Sequence, residues 1–225
     1  MKIPISKRLL CCAGLVENGA HVADIGADHG YLGIYLLKSG IAASVHASEK
    51  REKPLSSAKE NAQRFGVAQR MHFYHADGLQ AISRDSVDTI VCAGLGGDAI
   101  AQILRDCAWV HDARYRLILQ PQSSGNDLRR KLFEDGFGIE REMLVQDKGF
   151  IYNVIVASFG AAEALTPGQQ YLPPQLDRSD PLYAQYRLRV IAALKKTVAG
   201  IERAREDSPR LRYYRAALEE MEDRL

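Results

Sequence analysis

A chain of 225 residues suits one α/β domain with a small appendage, at roughly 100–200 residues per domain. Its 46% hydrophobic and 26% charged residues fit a soluble globular protein and exclude a disordered one. The net charge of only +2 leaves any affinity for nucleic acid to a local basic face.

No uncharged apolar run reaches the roughly 18 residues a spanning helix needs, so no membrane association is expected. Lys2, Lys7 and Arg8 precede a short apolar stretch that runs into Glu17 and Asn18 without a small-x-small cleavage pattern. That stretch reads as a leading amphipathic helix rather than a signal peptide. Four cysteines (Cys11, Cys12, Cys92 and Cys107) form no C-x-x-C pair, which argues against zinc or any other metal. Cys92 lies in an apolar run and reads as a core thiol. A reducing, cytoplasmic location follows.

From residue 21 to residue 159 short apolar runs alternate with helical stretches. Strands are expected at 21–25, 44–47, 71–75, 87–93 and 117–120. Helices are expected at 31–38, at 54–65 with proline in the first turn, at 98–104 and at 126–134. The rhythm then changes. Residues 138–145 and 150–159 are strand-like, and the four residues between them leave no room for a helix, so they form an antiparallel hairpin. Alternating βα units give a parallel sheet with helices on both faces.

Pro167, Pro173, Pro174 and Pro181 mark 161–181 as a linker, because proline blocks helix continuation and ladder donation. Beyond it, Ile191, Leu194, Val198 and Ile201 repeat at 3-4-3 spacing, and Leu211, Tyr214, Leu218, Met221 and Leu225 at 3-4-3-4. Ser208-Pro209 between them is a helix start, serine as cap and proline at the first helical position. Two apolar seams joined by a short turn make an antiparallel, coiled-coil-like helical hairpin. Three segments result: 1–160, a linker at 161–181, and the hairpin at 182–225.

The first strand ends in Asp24-Ile25-Gly26-Ala27-Asp28-His29-Gly30-Tyr31 and turns into a helix. Glycines there permit a tight turn and close approach of a ligand, and ligands of open α/β sheets bind at such strand ends. The carboxylate of Asp28 in this loop repels a pyrophosphate and tolerates a cationic ligand bearing an ammonium and a sulfonium. That favours S-adenosylmethionine over a nicotinamide dinucleotide; the competing reading makes Asp28 only a helix cap. Glu49, after the second strand, is placed to accept from ribose hydroxyls, with Lys50 beside it. Asp77-Gly78 closes the third strand, where a carboxylate can accept from an adenine amino group; an Asp-Gly turn without a ligand is the alternative. Ala93-Gly94-Leu95-Gly96-Gly97 follows the fourth strand as a flexible glycine-rich turn with backbone donors. It lacks the Asn/Asp-Pro-Pro-Tyr that exocyclic-amine methyltransferases carry. Gln120-Pro121-Gln122 lies on the same rim.

Taken together, Ser6-Lys7-Arg8-Leu9, the Asp24 to Leu32 segment, Ala93-Gly94-Leu95-Gly96-Gly97 and Leu119-Gln120-Pro121 make this chain similar to one family over nearly its whole length. It resembles the bacterial tRNA (adenine-22-N1)-methyltransferases. It departs at Gly30, Gly33 and Leu95, where the family often has Ala, Pro and Met. The resemblance implies a Rossmann-like, seven-stranded class I methyltransferase sheet with a C-terminal helical hairpin. It also implies S-adenosylmethionine as cofactor and N1 of a tRNA adenine as acceptor. Asp24, Gly26, Asp28, Gly30, Glu49, Lys50, Asp77, Gly78, Ala93 and Gly94 are the expected cofactor contacts. Neutral adenine has a lone pair and no proton at N1, so positioning dominates catalysis and no base is needed. His29, Tyr31 and Gln120 are the candidates for holding the base; the competing reading has His29 and Tyr31 merely packing the loop.

The hairpin from 182 to 225 holds ten Lys/Arg against seven Asp/Glu, with Glu219, Glu220, Glu222 and Asp223 clustered near the end. Arg187, Arg189, Lys195, Lys196, Arg203, Arg205, Arg210, Arg212 and Arg215 read as an RNA-docking face, which Lys7 and Arg8 extend; a solvated helix face is the plain alternative. Truncation after residue 159 is expected to spare cofactor binding and abolish tRNA methylation. Rival readings are a methyltransferase for another RNA or a small molecule, and a non-catalytic S-adenosylmethionine-binding scaffold. A monomer is the favoured state, although the helical seams can pair within one chain or between two.

Overall fold

A computed structural model describes residues 2–203 and 208–222. Arg205, Glu206, Asp207, Asp223, Arg224 and Leu225 of the expected hairpin lie outside the described residues. The chain opens with helix α1 (Lys7–Ala13), capped by the Ser6 hydroxyl, which accepts from the Leu9 amide. Strand β1 (Ala20–Ile25) leads to α2 (Tyr31–Lys38), β2 (Ala42–Glu49) to α3 (Glu52–Arg64), and β3 (Met71–His75) follows. Then come β4 (Thr89–Gly96), α4 (Gly97–Arg105), β5 (Arg116–Ser123) and α5 (Gly125–Glu134). The long strands β6 (Phe137–Asp147) and β7 (Phe150–Phe159) complete the sheet.

The sheet order is β3-β2-β1-β4-β5-β7-β6. The first five strands are parallel; β7 inserts antiparallel between β5 and β6. The order in which strands are added reverses between β1 and β4, and the carboxyl ends of those two strands open the crevice in which such sheets bind ligands. Lys148-Gly149 makes the β6–β7 turn with φ of 48° and 83°, the pair of positive angles a two-residue hairpin with native twist requires.

Period-two alternation sends residues to two cores. Val22, Val91, Ile118, Val154 and Val156 pack with α1 and α2, whereas Ala23, Ile90, Cys92, Leu117, Leu119 and Ile155 pack with α4 and α5. Burial pushes the Cys92 thiol up to about 12, consistent with an inert core residue. No helix among the described residues is long and apolar enough to cross a membrane.

The 161–181 stretch is more than a linker. It contains α6 (Pro167–Tyr171), started by a Thr166/Gln169 capping box. The C-terminal helices are α7 (Tyr183–Arg203) and α8 (Pro209–Glu222), joined across a seam that buries Leu194, Val198, Leu211, Leu218 and Met221. Glu220 of α8 ties α6 down by accepting from the Gly168 amide and the Thr166 hydroxyl. These helices are seated on the sheet domain. Arg129 of α5 and Glu142 of β6 form a fully buried bidentate pair, and Arg129 also donates to the Gln170 carbonyl of α6 at 2.7 Å. Asn126 of α5 donates to the Tyr171 hydroxyl across the same junction, and Tyr213 of α8 donates to Gln170 Oε1, holding α6 to α8.

Candidate active site

Beyond the carboxyl ends of β1, β2 and β4 lies a cavity of about 480 Å³, a size suited to a small-molecule cofactor. Eight of the ten expected cofactor residues line it: Gly26, Asp28, Glu49, Lys50, Asp77, Gly78, Ala93 and Gly94. Asp24 and Gly30 do not. Alternation along β1 turns Asp24 away from the cavity toward α2, where it lies beneath Gly33, 3% exposed, with Oδ2 lacking a partner among the described residues. Burial pushes its carboxyl up to about 7, against the Gly33 amide that donates to it. Gly30 caps α2 at φ 73° and packs against Ala58 and Met71. Gly30 thus occupies the cap, and Asp28 does not cap this helix.

Asp28 itself adopts φ 49°, the left-handed region that favours glycine and tolerates aspartate. Its carboxylate meets Arg51 Nη2 at 3.4 Å and His29 Nε2 at 3.8 Å. Glu49, the last residue of β2, is 4% exposed and joins two loops. Its Oε1 accepts from the amide and Nε of Arg51, both at 3.0 Å, and its Oε2 accepts from the Asp28 amide at 3.3 Å. The carboxylate is therefore held still at the cavity wall. Lys50 and Asp77 face each other at 3.9 Å across the next part of the rim. Beside Asp77, Leu95, Ala99 and Ile103 supply an apolar wall. A Cβ at Gly78 would come within 3.1 Å of Ile103, so the loop follows that wall closely.

The glycine-rich segment after β4 is not a free turn. Strands β4 and β5 continue to pair past a bulge at Gly94 (φ 83°), matching Leu95 with Pro121 and Gly96 with Ser123. The rim is consequently stiffer than expected. This extension also relocates the glutamine. Gln120 is fully buried, on the α1 side of β5, where its Oε1 accepts from Arg8 Nη1 at 2.8 Å. Gln122, two residues further on, lines the cavity instead.

Arg8, expected on an RNA-docking face, is turned inward. It lines the cavity, is held by Gln120, and has Asp147 at 3.9 Å. A Cβ at Gly94 would sit 2.8 Å from its Nη1 and push the guanidinium aside, on a backbone at φ 83° that favours glycine. The sequence offered a hint in Ser6-Lys7-Arg8-Leu9, but not its direction. Arg51 and Gln122 were equally missed as site residues. His29 is exposed at the cavity mouth beside Asp28, with its ring 6.0 Å from that of Tyr31. Tyr31 is half-buried and packs on the α1–α2 core.

Among the remaining candidate RNA contacts, Lys7, Lys196, Arg203 and Arg212 are exposed. Arg189 donates to the Gly149 carbonyl at the hairpin tip, and Arg210 donates to the Tyr214 hydroxyl. Arg187 is half-buried and binds the Met221 carbonyl, and Lys195 pairs with Glu222, so both hold α7 against α8. Among the described residues no group of three or more metal-ligating side chains occurs.

Residues 5–155 match the family model of a methyltransferase domain. The tRNA (adenine(22)-N(1))-methyltransferase of Bacillus subtilis is 34% identical over 167 residues, which is 74% of this chain and 70% of the relative. The crystal structure of the B. subtilis m1A22 tRNA methyltransferase TrmK superposes with a TM-score of 0.80 at 27% identity, covering 99% of this chain and 96% of that one. Streptococcus pneumoniae Sp1610 in complex with S-adenosyl-L-methionine superposes with a TM-score of 0.78 at 30% identity, covering 97% and 98%. By its motifs, its sheet order and these likenesses, the chain belongs to the tRNA (adenine-22-N1)-methyltransferase family.

Proposed function

We propose that this chain transfers a methyl group from S-adenosylmethionine to N1 of an adenine in tRNA, at position 22 as in the B. subtilis relative's name. The observation that carries the reading is the cavity at the β1/β4 crossover, walled by the immobilised Glu49 carboxylate. The residues present fit the cofactor. Glu49 is placed to accept from both ribose hydroxyls. Asp77 and the Leu95, Ala99 and Ile103 wall suit an adenine ring with its amino group at the carboxylate. Arg8 and Asp28 bring one charge of each sign to the region near Gly26 and Gly94, matching the amino-acid end. When bound, the cofactor supplies an electrophilic methyl on a sulfonium.

The chain's own residues hold and aim. N1 attacks with its lone pair, so the protein removes no proton beforehand. Gln122, at the edge of the cavity, replaces Gln120 as the candidate amide for steadying the incoming base. His29, exposed beside Asp28, stays a candidate for steadying the base, whereas Tyr31 packs on the α1–α2 core, which supports a packing role for it. Such positioning is worth on the order of 7–11 kcal/mol at best.

Docking of tRNA falls to α7 and α8 and to Lys7, through Arg189, Lys196, Arg203, Arg210 and Arg212. Residues up to 160 form the catalytic unit, and 182–225 the docking unit, with α6 fastening one to the other. The apolar seam of α7 and α8 is covered within one chain, which supports a monomer. A cytoplasmic location accompanies a tRNA substrate. The test is mass spectrometry of nucleosides from tRNA incubated with enzyme and cofactor. One new 1-methyladenosine, mapping to position 22, is expected; methylation of small amines with unmodified tRNA overturns the reading.

A further inference from the structure

A second cavity, of about 420 Å³, lies on the far side of the β5 rim between the β6–β7 hairpin and α7/α8. It shares Gln122 with the cofactor cavity, so one side chain stands between the two spaces. Its wall is rich in aromatic rings. Tyr171, Tyr186 and Tyr214 from α6, α7 and α8 line it, together with Ile151 of β7. Asn153, on the same strand, lines the cavity and is only 9% exposed. Its Nδ2 has no acceptor within 3.5 Å among the described residues, and the Tyr186 hydroxyl is a longer hydrogen-bond acceptor for it, which leaves an N–H of the amide open. A buried amide N–H left open is rare in a folded protein, and a ligand acceptor is one group that completes it. Among the described residues no acidic side chain lines this space, and Arg210 closes one side, above Tyr214. The lining therefore suits a flat, polar aromatic group attached to an anion.

We propose that this second cavity receives the extruded target adenine, with Asn153 Nδ2 donating to N7 of the base; the inference rests on the tRNA-methylating reading above. A base paired within RNA hides N1, so it must leave its stack before reaction. The aromatic side chains of the lining, Tyr171, Tyr186 and Tyr214, replace part of the lost stacking, as aromatic platforms do for unpaired bases. Donation to N7 engages the Hoogsteen edge and leaves the N1 lone pair free. N1 then points past Gln122 toward the cofactor cavity.

The experiment is a two-by-two comparison of single-turnover methylation at saturating S-adenosylmethionine. Wild type and Asn153→Ala are each presented with substrate tRNA carrying adenine or 7-deazaadenine at the target position. Each change alone is expected to slow methyl transfer about tenfold, the size of one hydrogen bond to a buried donor. The two together are expected to slow it no further, because both remove the same bond. S-adenosylhomocysteine affinity of Asn153→Ala is expected to equal that of wild type, which shows the variant folded. Full-rate methylation of 7-deazaadenine tRNA by wild type overturns the proposal, as do losses that multiply. A loss only when the 7-deaza base sits beside the target overturns it in favour of a flanking nucleotide. Failure of wild type to methylate unmodified tRNA overturns the functional reading and this proposal with it.

Discussion

Asp24 opens the most specific sequence motif, yet the structure removes it from the cavity and buries it. Burial raises its carboxyl to about 7 from an ordinary value of about 4. The unfolded chain therefore releases this proton near the ordinary value, whereas the folded chain holds it until about pH 7. Between those limits the folded state binds more protons, so stability falls as pH rises. The whole interval is worth on the order of 4 kcal/mol, and the part from about pH 5.5 to about pH 7 roughly 2 kcal/mol. An asparagine in place of the acid mimics the protonated form and does not titrate. The stability advantage of Asp24→Asn over wild type should thus grow by about 2 kcal/mol between about pH 5.5 and about pH 8, roughly 4–8 °C in Tm for a chain of this size. Differential scanning calorimetry of both proteins at the two pH values reads this directly. Comparison against wild type cancels the surface carboxylates. S-adenosylhomocysteine affinity should stay within a few-fold, since Asp24 does not touch the cavity. An advantage that stays constant with pH, or a lost cofactor affinity, refutes the placement of Asp24 as a buried support.

Glu49→Ala removes two ribose acceptors and also releases Arg51 and the Asp28 amide, so S-adenosylhomocysteine affinity should fall about 100-fold by calorimetry. His29→Ala should lower single-turnover methylation while leaving cofactor affinity unchanged, because the ring sits at the mouth; an unchanged rate makes His29 a packing residue. Arg129→Ala should destabilise the fold by about 3–5 kcal/mol in urea unfolding by stranding Glu142, whereas Arg129→Met with Glu142→Leu should recover most of that. For the same reason a cut after residue 159 strips Gln170 from Arg129. Charge reversal at Lys196, Arg203 and Arg212 is the cleaner probe of docking and should raise KM for tRNA with little effect on cofactor affinity.

The alternation of apolar runs and helical stretches made the parallel strands and their order of appearance legible, and the absence of room for a helix after residue 145 exposed the antiparallel pair. Helix α2 and strands β3 and β7 have the expected bounds, whereas other ends were harder to read. Pairing carried β4 through Gly96 and β5 through Ser123, because a bulge at Gly94 lets the ladder resume where glycine composition suggests a turn. Local patterns also do not encode which side of a sheet a polar residue faces once neighbours intervene. Gln120 and Asp24 are buried by alternation on the α1–α2 face, and Arg8 reaches the cavity only because α1 folds back beneath the β4–β5 rim. The prolines of 161–181 hid α6, since Pro167 starts a helix rather than stopping one. Its docking through Arg129 depends on a contact between residues 41 apart in sequence, which no local pattern reveals.

The account stands on the crossover cavity as the seat of a charged sulfur cofactor. Isothermal titration of the purified chain with S-adenosylmethionine, and separately with S-adenosylhomocysteine, tests that most directly. Saturable binding of both, one per chain and weakened by Glu49→Ala, is the predicted result; the absence of binding heat for either at any temperature tried, with no shift in thermal unfolding, contradicts it.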